Sequence, residues 1–211
     1  MKISILNLGI SNIESIRKAI GFCGYKKIFV TNKKEKISDS DLIVLPGVGS
    51  FPIAMKKLSE IGLVNFLRQQ IKSGKDVLGI CLGMQLFANI SYEFKQTEGL
   101  SVLDGKIKEI CSHNLISLPH MGWNKVRFKQ KDPLFDDLPD ETYFYFLHSY
   151  FFQVSNKSII LATVKYGTEI PAIIKHENIC GFQFHPEKSQ KHGIKLLKNY
   201  LDNINKKSEL C

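Results

Sequence analysis

The stretch Gly79-Ile80-Cys81-Leu82-Gly83 sets the strictest limit on what this chain can fold into. Ahead of it, Asp76-Val77-Leu78 opens a run of strand formers; behind it, Met84-Gln85-Leu86-Phe87 continues as a helical pattern. No residues remain for a loop, so a strand must turn sharply into a helix at the cysteine. Such a corner lifts its apex residue clear of the sheet, and flanking glycines let backbone segments approach without Cβ clashes. The helix that follows points free N–H groups and its positive dipole end at Cys81, which favours a thiolate. The Leu82 N–H is placed to stabilise an oxyanion on a carbonyl attacked by the sulfur. By itself the pattern fits two readings equally well: a nucleophile elbow, or a small buried cysteine ending a core strand.

The segments before this corner alternate strand and helix. The runs KISILNL, KIFVTN, DLIVLPG and DVLGIC read as short buried strands. Between the first two, Ile13, Ile16 and Ile20 share a helix face that stops at Gly24, and one helix is expected over about Ile53–Ser73, ending near Gly74. Short apolar strands separated by helices imply a parallel sheet covered on both faces. The second half differs: GKIKEI, NKVRF, YFYFLHSY, SIILATV, PAIIKH and ICGFQF are strands with little helix between them. They predict an antiparallel extension or a mixed central sheet, closed by a helix over about Gln190–Asn203. With no repeat, linker or low-complexity tract, residues 1–211 read as one α/β domain.

Composition removes several function classes. Hydrophobic residues make up 44% and charged residues 23%, the balance of a soluble globular protein. No run approaches the roughly 18 apolar residues of a membrane helix, and the N-terminal apolar run lacks a small-residue cleavage site. Five scattered cysteines form no CxxC pair and have no histidines at zinc-finger spacing, so free thiols in a reducing, cytoplasmic setting are expected, with no metal and no cofactor. The net charge of +9 is spread along the chain, and no aromatic–basic module accompanies it, so neither nucleic acid nor membrane is expected as a partner.

A thiolate nucleophile needs a base, and Phe182-Gln183-Phe184-His185-Pro186-Glu187-Lys188 offers one. Pro186 holds His185 extended, and Glu187, two residues on, can project to the same side. An imidazole oriented by a carboxylate completes a Cys-His-acid triad. The plainer alternative is a surface turn. A third segment, Leu45-Pro46-Gly47-Val48-Gly49-Ser50-Phe51, ends a strand in a glycine-rich loop whose backbone can offer a second oxyanion N–H at Val48 or Gly49; alone, it would pass for an ordinary turn.

On these three motifs the chain resembles the class I glutamine amidotransferases, whose fold is a flavodoxin-like, mostly parallel sheet flanked by helices. Within them it is most similar to the glutaminase subunits of imidazole glycerol phosphate synthase. CLGMQ with Met84, PHMGWN (Pro119 to Asn124), FLHSY (Phe146 to Tyr150) and GFQFHPEKSQKHG carry that likeness, which spans essentially the whole chain. The resemblance implies Cys81 as nucleophile, His185 as general base and then acid, and Glu187 as the orienting acid. It further implies that Gly49 and Gln85 line the L-glutamine pocket, with Ser149 and Tyr150 near the substrate's amino-acid end. It implies a heterodimer with a (β/α)8-barrel cyclase that receives ammonia and makes imidazole glycerol phosphate and AICAR in histidine biosynthesis. Asn12, Trp123, Tyr145 and Lys188 then fall at the interface, although a lone tryptophan can equally be core and Lys188 a solvated loop residue.

One segment departs from the family pattern. The first strand there ends in a sequence of the type Asp-Tyr-Gly-x-Gly-Asn; here Asn7-Leu8-Gly9-Ile10-Ser11-Asn12 lacks the acid, the aromatic and the second glycine. The triad is untouched by this, but the loop looks toward the partner in the family. A paralogous subunit that supplies ammonia for amidino-sugar synthesis of surface polysaccharides is therefore the second reading. A catalytically silent binding module is disfavoured because all three triad positions are present.

Overall fold

The computed structural model describes residues 1–9, 12–111 and 116–210, with backbone only for 207–210; Ile10, Ser11 and Cys211 lie outside the described residues. The first part runs β1 (Ile3–Ile5), α1 (Ile13–Phe22), β2 (Ile28–Val30), α2 (Lys34–Ser38), β3 (Leu42–Gly47), α3 (Phe51–Glu60), α4 (Val64–Lys72), β4 (Asp76–Cys81) and the single turn α5 (Leu82–Gln85). Next come β5 (Ile90–Ser91), β6 (Thr97–Glu98), β7 (Gly105–Glu109), β8 (His120–Phe128), β9 (Thr142–His148), β10 (Tyr150–Val154), β11 (Ile160–Tyr166), β12 (Thr168–His176), β13 (Ile179–Phe182) and α6 (Gln190–Leu210).

Nine strands form the main sheet in the order β2-β1-β3-β4-β13-β12-β11-β8-β9. The pairs among β2, β1, β3, β4 and β13 are parallel, and the rest, from β13 to β9, are antiparallel. The period-2 geometry of a strand explains how one apolar run fills two cores. In β3, Leu42 and Val44 enter the core under α1 and α6, whereas Ile43 and Leu45 enter the core under α3 and α4. A second sheet, β10-β7-β5-β6, packs into the latter core through Ile107 and Phe152. The two alternatives left open for the second half are thus both realised.

Two sequence expectations are corrected. The helix expected over Ile53–Ser73 is two helices, because Gly62 adopts φ +65 and the Leu63 N–H turns back to the Leu58 carbonyl at 2.9 Å. The run YFYFLHSY is not one strand: β9 stays in the main sheet, β10 joins the small one, and Ser149 makes the switch, its carbonyl accepting from the Ile110 N–H at 2.9 Å.

The register aligns the carboxyl ends of β3, β4 and β13: Gly47 pairs with Cys81, and Ile80 with Phe182. The glycine-rich loop, the thiol and the histidine follow these adjacent ends, where a parallel sheet opens a crevice. Gly79 also pairs directly with Gly181 across β4 and β13. A Cβ at Gly79 would lie 2.5 Å from the Met84 nitrogen, and one at Gly181 would lie 2.6 Å from Met84 Cγ. The turn α5 therefore rests on a floor of two glycines.

Gly79→Ala should destabilise the protein by about 3 kcal/mol, because backbone must move to admit the methyl group. Gly21→Ala in α1, where a Cβ meets nothing within 4 Å, should instead be neutral or stabilise by up to about 1 kcal/mol. Urea-unfolding midpoints of both variants, measured side by side, check the contrast; equal small effects would discount the glycine floor.

Candidate active site

The corner forms as the spacing requires: β4 ends at Cys81 and α5 begins at Leu82. Cys81 itself takes φ 53 and ψ −110, a conformation that a side chain rarely tolerates, so local packing must hold it. Gly47 supplies part of that packing, since a Cβ there would sit 2.8 Å from Leu82 Cβ; Gly83 supplies more, since its Cβ would overlap the Leu45 carbonyl. The sulfur lies 3.7 Å from the Leu147 carbonyl oxygen and 3.8 Å from Gln183 Nε2, which donates to it. The helix behind it is only the four residues Leu82–Gln85, so the expected dipole reduces to one turn of free N–H groups. Leu82, the first of them, has no intrahelical acceptor.

His185 follows β13 in an extended conformation, φ −99 and ψ 97, as Pro186 dictates. Glu187 reaches it differently from the expectation of an extended segment. Pro186–Lys188 coils into a 3-10 turn, and the turn brings the carboxylate back to the ring. His185 Nδ1 and Glu187 Oε1 are 2.9 Å apart, with side chains only 2% and 3% exposed. His185 Nε2 and Glu187 Oε2 have no hydrogen-bond partner among the described residues. Burial disfavours the charged ring, but the Cys81 sulfur, followed by the Glu187 carboxylate, outweighs it and raises His185 from 6.5 to about 10. The sulfur thus acts on the ring chiefly as a neighbouring charge.

Strand β9 clamps this turn. The Tyr145 carbonyl accepts from the His185 N–H at 3.0 Å, and the Tyr145 N–H donates to Ser189 Oγ at 3.0 Å. Ser189 Oγ in turn donates to the His185 carbonyl at 2.6 Å.

Val48, Gly49, Leu82, Gln85, Ser149 and Tyr150, all marked in the sequence, line one cavity of about 400 Å³ together with Cys81. Gly49 sits at φ +104, in the left-handed region that favours glycine. Two carboxylates in the same wall, Glu93 and Glu109, were not anticipated. Glu93 accepts from the Phe51 N–H at 2.7 Å; burial raises its carboxyl, and that hydrogen bond partly offsets the rise. Neither carboxylate belongs to a motif, because the small sheet that carries them to the cavity leaves only weak strand signals. Gln183 was also passed over, although a fully buried amide between Phe182 and Phe184 was a visible irregularity in an apolar run.

Two buried histidines stand beside the cavity. His120 and His148 are cross-strand partners on β8 and β9, with Nδ1 of the first 3.0 Å from Nε2 of the second. Burial lowers His120 to about 4; burial, helped by His120 and His185 and opposed by the Tyr150 carbonyl, lowers His148 to about 3. Among the described residues no group of three or more His, Cys, Asp or Glu is placed to hold a metal ion.

Three of the candidate interface residues, Trp123, Tyr145 and Lys188, cluster on one surface. Trp123 is 43% exposed and meets the Tyr145 ring at 6.2 Å, edge to face. Lys188 Nζ lies 5.7 Å from the Tyr145 ring centre. Met121 and Tyr143 extend the same exposed face of β8 and β9. Asn12 is exposed but has a local task as well, capping α1 by accepting from the Ser15 N–H at 3.3 Å.

Residues 4–204 match the family model described as "Glutamine amidotransferase class-I". The chain is 42% identical to a Vibrio vulnificus protein named "Imidazole glycerol phosphate synthase subunit HisH 2", covering 96% of this chain and 94% of the relative. It is 40% identical to the "Imidazole glycerol phosphate synthase subunit HisH" of Aquifex aeolicus, covering 95% and 96%. Among solved structures, one titled "Crystal structure of glutamine amidotransferase" superposes with TM-score 0.75 at 16% identity, covering 97% of this chain and 100% of the other. The "Structure of PurLQS from Thermotoga maritima" superposes at 0.72 and 16% identity, covering 96% and 98%. At those identities the structures speak for the fold alone.

The three buried histidines should leave opposite marks on stability. His120 and His148 lie below the 6.5 of a free imidazole, so the unfolded chain binds protons first as pH falls; their share is complete above about 6.5 and lost toward about 4. His185 is raised, so its share is complete below 6.5 and lost as pH climbs through about 10. Between pH 7 and 5, unfolding free energy should fall with a slope of up to about 1.4 kcal/mol per unit for each lowered ring. Urea titrations across that range check it, and His120→Phe should flatten the curve; an unchanged slope would reject the buried neutral pair as its source.

Proposed function

The chain belongs to the class I glutamine amidotransferase family, and from that premise we propose that Cys81, His185 and Glu187 hydrolyse L-glutamine to glutamate and ammonia. It serves as the glutaminase subunit of an imidazole glycerol phosphate synthase in histidine biosynthesis, the assembly that its relatives' names state. The observation that carries the chemistry is the ordered trio at the carboxyl ends of β4 and β13: a sulfur, a buried imidazole and a carboxylate 2.9 Å from its far nitrogen.

The sulfur anion attacks the carbon of the side-chain carboxamide, and its electron pair forms the C–S bond while the carbonyl π pair moves to oxygen. The N–H groups of Leu82 and of the Val48–Gly49 loop receive that oxyanion. His185 Nε2 donates its proton to the departing nitrogen, the C–N bond breaks, and ammonia leaves a γ-glutamyl thioester. The same nitrogen then takes a proton from water, whose oxygen attacks the thioester and releases glutamate and the thiolate. Glu187 keeps the ring oriented and stabilises its charge throughout. Glu93 and Glu109 supply the negative charge that suits the substrate's ammonium group, while Ser149 and Tyr150 face its amino-acid end.

The partner is a (β/α)8-barrel cyclase that accepts the ammonia, docked on the face that carries Trp123, Tyr145 and Lys188, with Asn12 at its margin. A sole tryptophan, half exposed and braced by an aromatic neighbour, suits an interface anchor. Neutral Asn7 favours a second reading of the acceptor, a barrel paralogue in amidino-sugar synthesis, with the glutaminase step unchanged. The site of action is the cytoplasm, where free cysteines persist.

Cys81→Ala should cut glutamate release at least about a thousandfold while glutamine still binds in a calorimeter. Glutamate release with and without the co-purified barrel should differ strongly, and equal high rates would reject partner gating. The complex should consume the histidine-pathway phosphoribosyl intermediate. Intact glutaminase activity without that consumption would favour the sugar paralogue.

A further inference from the structure

Gln183 follows β13 directly, between Phe182 and Phe184, and its side chain is fully buried. Its backbone N–H continues the strand pairing by donating to the Ala172 carbonyl at 2.9 Å, so a rigid element carries the amide. A carboxamide shut off from water must find its partners inside the protein. Among the described residues, Oε1 accepts from Gln85 Nε2 at 3.1 Å. Nε2 donates to the Cys81 sulfur at 3.8 Å, a longer distance that reflects sulfur's larger radius.

Neither amide is free to flip. The Tyr150 carbonyl can only accept, so the Gln85 atom 2.7 Å from it must be Nε2; an oxygen there would set two acceptors against each other. That nitrogen can only donate, so the Gln183 atom facing it must be Oε1, and Nε2 is left toward the sulfur. The sulfur has a second neutral neighbour, the Leu147 carbonyl at 3.7 Å, which accepts from a thiol and repels a thiolate. Gln183 does the reverse, because an N–H gains most from an acceptor that carries charge. The ionisable groups around the sulfur are His185, with Glu187 behind it, and Glu93 and Glu109 in the same cavity wall; His148, from β9, is held neutral by burial. Of these only His185 can favour the anion by its charge. Gln183 adds a donor that no change of pH removes.

We propose that Gln183 is a further catalytic residue: its amide, locked in one orientation through Gln85 and the Tyr150 carbonyl, donates to the Cys81 sulfur and stabilises the anion. The stabilisation acts twice. It raises the share of thiolate in the resting site, which more than offsets the smaller loss of nucleophilicity in a hydrogen-bonded anion. It acts again when the C–S bond of the thioester breaks and its electron pair returns to sulfur, since the departing thiolate meets a donor already in place. The thioester stage rests on the glutaminase reading; the contact with the sulfur does not.

Alkylation, spectra and turnover test it together. In the free full-length chain, the rate of Cys81 alkylation by iodoacetamide, followed by mass spectrometry of its peptide, should rise with pH to a plateau. Gln183→Met, which keeps the volume and removes the donor, should move the half-maximal pH upward by about one unit and leave the plateau equal or higher. An unchanged midpoint, or a loss confined to the plateau, overturns the proposal. In the parent chain, whether or not that variant folds, a side-chain amide proton of Gln183 should shift in 1H–15N spectra over the same pH range, and the shift should vanish in Cys81→Ala. An amide that does not respond, or responds equally without the sulfur, overturns it as well. In the complex with the barrel, Gln183→Met should lower kcat about thirtyfold while the KM for glutamine changes less than about threefold; a loss confined to KM overturns it. A parent complex that releases no glutamate sinks the glutaminase reading instead, and alkylation and spectra still decide the contact.

Discussion

The approach of α5 to the sheet is the contact on which the site depends. A strained thiol at φ 53 keeps its conformation only if the segments on both sides are fixed more firmly than the strain can pull. Gly79 and Gly181, paired across two parallel strands, let Met84 press down on the sheet, while Gly83 slides under the Leu45 carbonyl. Each of these contacts is closer than any side chain would permit. The fold therefore gives up four positions that could have carried apolar side chains (Gly47 among them) to set one sulfur at the mouth of a crevice.

Electrostatics then separates rings that share a residue type. His185, His148 and His120 are all buried, and burial alone would drive all three toward neutrality. The sulfur and the Glu187 carboxylate reverse that outcome for His185; His148 has a carbonyl and another histidine instead, and His120 has an amide. A charged ring suits proton delivery to a leaving group, whereas a neutral ring can both donate and accept, as a chain of fixed tautomers requires. The charge on His185 itself discourages a second charge on His148, so the two states support each other across the cavity.

The sequence was most readable where local chemistry and tertiary demand coincide. The corner at Cys81 leaves no room for a loop, and the apolar runs of β3 and β4 allow only a strand buried on both faces, so the parallel half and the strand-to-helix corner were evident. The fold and family inferred from those motifs also stand. The break between α3 and α4 was hidden because one glycine within a helical pattern is ordinarily tolerated, and only its positive φ reveals a stop. The division of YFYFLHSY was hidden for another reason: β9 and β10 have similar alternation, and which sheet each joins depends on pairing with separate strands, β8 for the first and β7 for the second. Glu93, Glu109 and the histidine pair escaped on the same ground. Residues brought together by long-range pairing leave no spacing rule behind.

Strand β9 unites these separate devices. Its exposed face sets Tyr143 and Tyr145 beside Trp123, and its backbone grips both sides of the His185–Ser189 turn through Tyr145. Leu147 presents its carbonyl to the sulfur, and His148 ends the strand with a hydrogen bond to the Tyr150 carbonyl. A partner pressing on the aromatic face would thus act on the element whose backbone holds the His185 turn and sets the Leu147 carbonyl beside the sulfur. The first loop contributes something different. Asn7 Oδ1 accepts from the Gly9 N–H at 2.9 Å, as the family's carboxylate could, so the turn keeps its hydrogen bond and loses its negative charge. The difference at residue 7 is thus one of charge and not of turn geometry.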